Sequence, residues 1–196
     1  MLLMKTAIEE ILDNIQTATR FIDEDVINEF MDILTESKNV FVLGAGRSGL
    51  VAKAFAMRLV HLGMSAYVVG ETISPAIYED DCILAISGSG ETKTIVSAVN
   101  IAKNRGSKAL SLTSYPDSTL GKLSNCVMLV KGRTKKDIDD EDYIKRQIDG
   151  NYVSLTPLGT AFELTALIFL DGLIASLMQK MGKTENDLKL RHTVLE

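Results

Sequence analysis

The chain has 196 residues, with 21 Lys plus Arg against 26 Asp plus Glu and a net charge of −5, which is the size of one ordinary domain. No long basic run is present, so the acidic balance excludes a nucleic-acid footprint and makes an anionic membrane surface a poor partner, while leaving room for a small anionic ligand. At 46 % apolar residues, a chain this long buries roughly 70 % of its unfolded surface, and its core requires no disulfide or metal staple.

The first 38 residues predict helix: Ile8, Ile11, Leu12 and Ile15 keep a three-to-four spacing, and Val26, Phe30, Ile33 and Leu34 repeat it. No leader is expected, because the opening apolar residues meet Lys5, Glu9 and Glu10 almost at once. From residue 39 the pattern alternates. Strands are predicted at Val40–Leu43, Ala66–Val69, Ile83–Ile86, Ala109–Leu112 and Val127–Val130. Between them come helices at Ser48–Leu62 and Glu91–Asn104 and a short turn near Leu120. Five short strands separated by helices imply right-handed crossovers, hence a doubly wound α/β fold with a parallel sheet and helices on both faces.

Lys131–Gln147 mixes charges of both signs and predicts an exposed loop. A last helix is expected over Pro157–Met181, with the proline suited to its first turn and the stretch Ala161–Leu177 apolar on nearly every face. Its most apolar run, Leu164–Leu170, ends at Asp171, short of the roughly 18 residues of a membrane span. A helix this apolar calls for cover on most sides, and a second copy of the chain is the expected source of one wall. The expected organisation is one domain over 1–196, with helices 1–37 and the segment 157–196 packed on it. Cys82 and Cys126 have no metal-like spacing to each other or to His61 and His192, so they read as buried, reduced thiols suited to a cytoplasmic protein.

Two glycine-rich loops carry the chemistry. Gly44-Ala45-Gly46-Arg47-Ser48-Gly49 follows the first strand and opens a helix, matching G-x-G-x-x-G; with Glu71 downstream as a ribose-binding acid, it would by itself suggest a nicotinamide dinucleotide. Ser87-Gly88-Ser89-Gly90-Glu91-Thr92 follows the third strand and opens another helix. Glycines allow close approach of the backbone, the helix N-terminus favours an anion, and three hydroxyls add neutral donors. A turn and an N-cap would explain one hydroxyl, not three. Loops at the carboxyl ends of neighbouring strands converge where open α/β sheets bind ligands, so one phosphate-bearing ligand shared by both is expected.

Glu163 is the candidate base. Gly159 and Thr160 lie one turn before it and Ala166, Leu167 and Leu170 after, so its helical neighbours bring no opposite charge and little water, and its carboxyl is expected to hold a proton more tightly than usual. That suits proton transfer beside a carbonyl. His61 has a second explanation, a favourable place at a helix C-terminus before Gly63. His192 falls in a polar tail. Arg47 is placed to reach a phosphate or a neighbouring subunit.

Together the two loops resemble the sugar isomerase (SIS) domain family. Met57-Arg-Leu-Val-His-Leu-Gly63, Gly70-Glu-Thr-Ile-Ser-Pro75, Pro157-Leu-Gly-Thr-Ala-Phe-Glu163 and Leu190-Arg-His-Thr-Val-Leu-Glu196 are similar to its 6-phospho-3-hexuloisomerase branch. The resemblance implies a flavodoxin-like three-layer sandwich, a homotetramer with sites near subunit interfaces, and cofactor-free, metal-free interconversion of 3-hexulose 6-phosphate and fructose 6-phosphate. It makes Ser48, Ser87, Ser89 and Thr92 phosphate ligands, with the Gly88 backbone beside them. Gly46, Arg47 and Glu71 are further candidates for the pocket, and Glu163, His192 and His61 are the catalytic ones, a C-terminal or neighbour-subunit histidine assisting. The alternatives are arabinose 5-phosphate isomerase, a non-catalytic phosphosugar-binding module of a regulator, and a nicotinamide-dependent dehydrogenase, which leaves Ser87–Thr92 unexplained.

Overall fold

The computed structural model describes residues 2–132 and 154–192. Five strands, β1 (Val40–Gly44), β2 (Ala66–Val68), β3 (Cys82–Ile86), β4 (Lys108–Thr113) and β5 (Cys126–Leu129), form one all-parallel sheet in the order β2-β1-β3-β4-β5. Seven helices are described: α1 (Leu3–Thr19), α2 (Glu24–Glu36), α3 (Arg47–Leu62), α4 (Lys93–Asn104), α5 (Thr119–Leu123), α6 (Thr160–Lys180) and α7 (Glu185–Lys189). Every expected strand and long helix is present, and the fold is the doubly wound α/β sandwich.

Alternation along the strands sorts the helices. Val40, Val42, Leu84, Ile86, Leu110 and Leu112 face one side, where they share a core with α2, α3 and α6. Phe41, Leu43, Ile83, Ala85 and Ala109 face the other, under Ile95, Val99 and Ala102 of α4 and Leu120 of α5. Side chains of neighbouring strand residues point to opposite faces, so each buried strand serves two cores and reads as a continuous apolar run. A fully buried Leu or Phe here contributes about 1.5–3 kcal/mol of transfer free energy.

Several boundaries differ from expectation for local reasons. The last long helix starts at Thr160, not Pro157, because Gly159 stands at φ +88°, in the left-handed region that breaks a helix. α4 starts at Lys93, not Glu91, because Gly90 at φ +65° and extended Thr92 belong to the loop. The turn near Leu120 is a short helix capped by the Ser118 hydroxyl, which accepts from the Gly121 amide. α7 arises in what reads as polar tail, closed by a Thr184–Asp187 capping box. The helix continues past Asp171 as expected, but the expectation that its apolar run falls short of a span is corrected: α6 runs 21 residues and is long and apolar enough to cross a membrane by length and composition. Here it packs against α1, α2 and α3, and Phe162, Ala166, Leu170 and Leu177 are buried in the sheet-facing core. Beyond residue 132, the expected charged loop lies outside the described residues.

Both cysteines are free and buried. Burial pushes the Cys82 thiol up to about 11 and the Cys126 thiol up to about 12, and a thiol in that condition is inert because the thiolate is the nucleophile. At pH 8 the folded protein should therefore react negligibly with Ellman's reagent and release two equivalents of chromophore in guanidinium; rapid stoichiometric reaction without denaturant would contradict this burial.

Candidate active site

β1 and β3 pair in register from Val40–Cys82 to Gly44–Ile86, so the two strands end at the same level. From that edge the chain departs in opposite directions, into α3 on one face and α4 on the other. This is the point of strand-order reversal where open α/β sheets leave a crevice. A cleft of about 280 Å³ occupies it.

Glycine shapes the first wall. A Cβ on Gly44 would stand 2.5 Å from the Ser48 carbonyl oxygen, so only glycine lets the first turn of α3 approach the end of β1 this closely. Gly46 at φ +59° then turns the chain into the helix. As a result Gly46 and Ser48 line the cleft, Ser48 being buried.

Ser87, Gly88, Ser89 and Thr92 form the second wall. The Ser87 and Thr92 hydroxyls lie 3.0 Å apart, and the Ser89 hydroxyl accepts from the Glu91 amide at 3.3 Å. Four hydroxyls therefore meet near the N-termini of two long helices, with no carboxylate of either loop among the lining residues. The arrangement can take a compact anion through backbone N–H groups and neutral donors.

The third wall is the start of α6: Leu158, Gly159, Phe162 and Glu163. Its approach depends on Gly132, where a Cβ would stand 2.5 Å from the Phe162 backbone. Glu163 is largely buried, its side chain 14 % exposed. Its helical neighbours are as apolar as expected, but the absence of opposite charge is corrected. The Arg47 guanidinium donates from Nε to Glu163 Oε2, across 116 residues of sequence that no helical spacing reveals. Arg47 is itself 59 % exposed in its side chain and does not line the cleft.

Three other candidates lie outside the cleft. Glu71, after β2, accepts from Lys53 of α3 at 2.5 Å. His61 sits thirteen residues beyond Ser48 on α3, about 20 Å along the axis at 1.5 Å per residue. His192 follows α7 and its ring packs on that of His61, the centroids 4.9 Å apart, while Arg191 lies over Gly63, where a Cβ would meet the guanidinium at 2.9 Å. Ala45, Leu158 and Phe162, which also line the cleft, stand inside the sequence motifs without having been singled out, and Ile86 carries no sequence signal that separates it from core. Among the described residues no cluster of three or more His, Cys, Asp or Glu side chains is disposed to hold a metal.

The SIS domain model matches residues 33–139. A Bacillus subtilis protein named 3-hexulose-6-phosphate isomerase is 35 % identical over 98 % of this chain and 100 % of its own length. An Archaeoglobus fulgidus protein without an assigned function is 46 % identical over 96 % of this chain and 98 % of its own. The crystal structure of MJ1247 from Methanococcus jannaschii, for which a 3-hexulose-6-phosphate isomerase function is inferred, superposes with a TM-score of 0.79 at 30 % identity, covering 96 % of this chain and 98 % of that one. The chain belongs to the SIS domain family.

Proposed function

We propose that this protein is a phosphosugar isomerase interconverting 3-hexulose 6-phosphate and fructose 6-phosphate. The observation that carries the proposal is the Glu163 carboxylate in the wall of the same cleft as the hydroxyls of Ser48, Ser87, Ser89 and Thr92. A site that grips a phosphate at one end and presents a carboxylate at the other has the parts for moving a carbonyl along a sugar. The substrate class is that of the named relatives.

The carbonyl stands at C2 in fructose 6-phosphate and at C3 in its partner. Moving it requires one proton to leave C3 and return at C2, with a second passing from O3 to O2 through the enediol. Glu163 is the proposed carrier of the carbon-bound proton, and Arg47 holds that carboxylate in place. Phosphate contacts far from the reacting carbons supply binding energy that fixes C2 and C3 against the base.

His61 and His192 enter this scheme from a second copy of the chain, since about 20 Å of α3 separates them from their own cleft. Exposed Leu50, Met57 and Val60 on α3 and Ile168 on α6 supply apolar surface for such an assembly. The free thiols of Cys82 and Cys126 suit a reducing cytoplasm.

In D2O with fructose 6-phosphate and no added cofactor, proton NMR should show 3-hexulose 6-phosphate accumulating, with deuterium at its C2 and, after the return reaction, at C3 of fructose 6-phosphate to the extent that the proton on the base exchanges with solvent; no formation of 3-hexulose 6-phosphate would remove the isomerase. Glu163→Gln should lower turnover about 10²- to 10⁴-fold while still binding fructose 6-phosphate, and near-full activity would take Glu163 out of the chemistry. Ser87→Ala should raise KM about 10- to 100-fold, the worth of one hydrogen bond to a charged group, with kcat nearly intact. If the histidine is shared between copies, refolding a mixture of inactive His192→Ala and Glu163→Gln chains should restore part of the activity; no recovery on mixing would return His192 to a structural role.

A further inference from the structure

The phosphate loop contains an acid. Glu91 lies between Ser89 and Thr92, both of which line the cleft, yet it is absent from the lining itself. Its carboxylate points to the back of the loop, where Oε1 accepts from the Thr119 amide at 3.0 Å and Oε2 from the Thr119 hydroxyl at 2.7 Å.

The same rear surface holds the loop's carbonyls. Gly88 C=O accepts from the Ser114 amide at 3.0 Å and the Thr113 hydroxyl at 3.2 Å. Gly90 C=O accepts from the Leu120 amide at 3.0 Å. No peptide bond among the described residues is cis, and in a trans peptide the C=O and N–H point in opposite directions. Turning the carbonyls of 88 and 90 rearward therefore turns the amides of Ser89 and Glu91 forward, the Glu91 amide onto the Ser89 hydroxyl that lines the cleft. The fit is close: a Cβ on Gly90 would stand 1.9 Å from the Ser118 hydroxyl.

Resting on the phosphate assignment of this loop, we propose that Glu91 and Thr119 form a positioning clasp that keeps the loop's own carboxylate off the bound phosphate and its amides aimed at it. Thr119 does not line the cleft. Its hydroxyl and amide give the Glu91 carboxylate two neutral donors on the far side of the loop. Released, the same carboxylate sits two residues from Ser89 and next to Thr92, and opposes a phosphate dianion.

The clasp makes a signed prediction. Thr119→Val removes the hydroxyl and keeps the side-chain shape and the amide. It should raise KM for fructose 6-phosphate and Kd for inorganic phosphate by about three- to fivefold at low salt, with kcat unchanged and the effect shrinking as ionic strength rises. Adding Glu91→Gln to Thr119→Val should bring both constants back to within about twofold of wild type, because the charge that repels is gone. A merely structural contact gives the opposite ordering, with the double variant no better than the single one, and that result overturns the clasp. So does an unchanged Kd for phosphate in Thr119→Val. Phosphate titration requires no turnover. Wild-type protein that binds phosphate without isomerising would sink the proposed reaction while the two variants still test the clasp, and protein that neither binds phosphate nor turns over would sink both.

Discussion

The site depends on one topological constraint: β1 and β3 lie side by side and end at the same level, but the chain leaves them toward opposite faces of the sheet. Had both crossovers packed on one face, the loop of one would have covered the strand end of the other. Because they diverge, a gap opens between Gly46–Ser48 and Ser87–Thr92, and two helix N-termini point into it. Neither loop alone would make the site. The order of strands does, and that order follows from right-handed crossovers in a sheet that must bury both faces.

The third wall has a different origin. Glu163 comes from the far end of the chain and reaches the crevice because α6 lies against α3 and because Gly132 lets the Phe162 backbone come close. Its ion pair with Arg47 ties the first and last parts of the site together. Arg47 opens the helix that follows the first glycine-rich turn and also grips Glu163, so one residue touches both ends of the cleft's framework. Ion pairs with one largely exposed partner are modest in energy, and the value of this one is in orientation.

Much of this was legible in the residues, for identifiable reasons. Short runs such as Val40–Leu43 and Ile83–Ile86 announce strands buried on both faces, and glycines after β1 and β3 mark the tight exits. The hydroxyls of Ser87, Ser89 and Thr92 mark their loop out, since a turn has no use for three of them, and all three residues line the cleft. What local pattern cannot carry is contact across the chain. Arg47 and Glu163 are 116 residues apart, and the apolar neighbours of Glu163 on its own helix wrongly suggested an unaccompanied charge. His61 and His192 look like candidates for one site on residue type, but they meet each other at the far end of α3. Boundaries slipped where a single dihedral decided them, as at Gly159, because propensity averages over a window and a left-handed residue does not.

α6 is made only after every strand it covers. Until residues 160–180 have left the ribosome, the sheet face formed by Leu84, Ile86, Leu110 and Leu112 lacks the helix that shields much of it. During synthesis that face is an uncovered apolar surface bounded by strand edges, the kind of intermediate that aggregates or recruits chaperones. Burying so apolar a helix late therefore gives the finished fold its core and gives the nascent chain its most vulnerable interval.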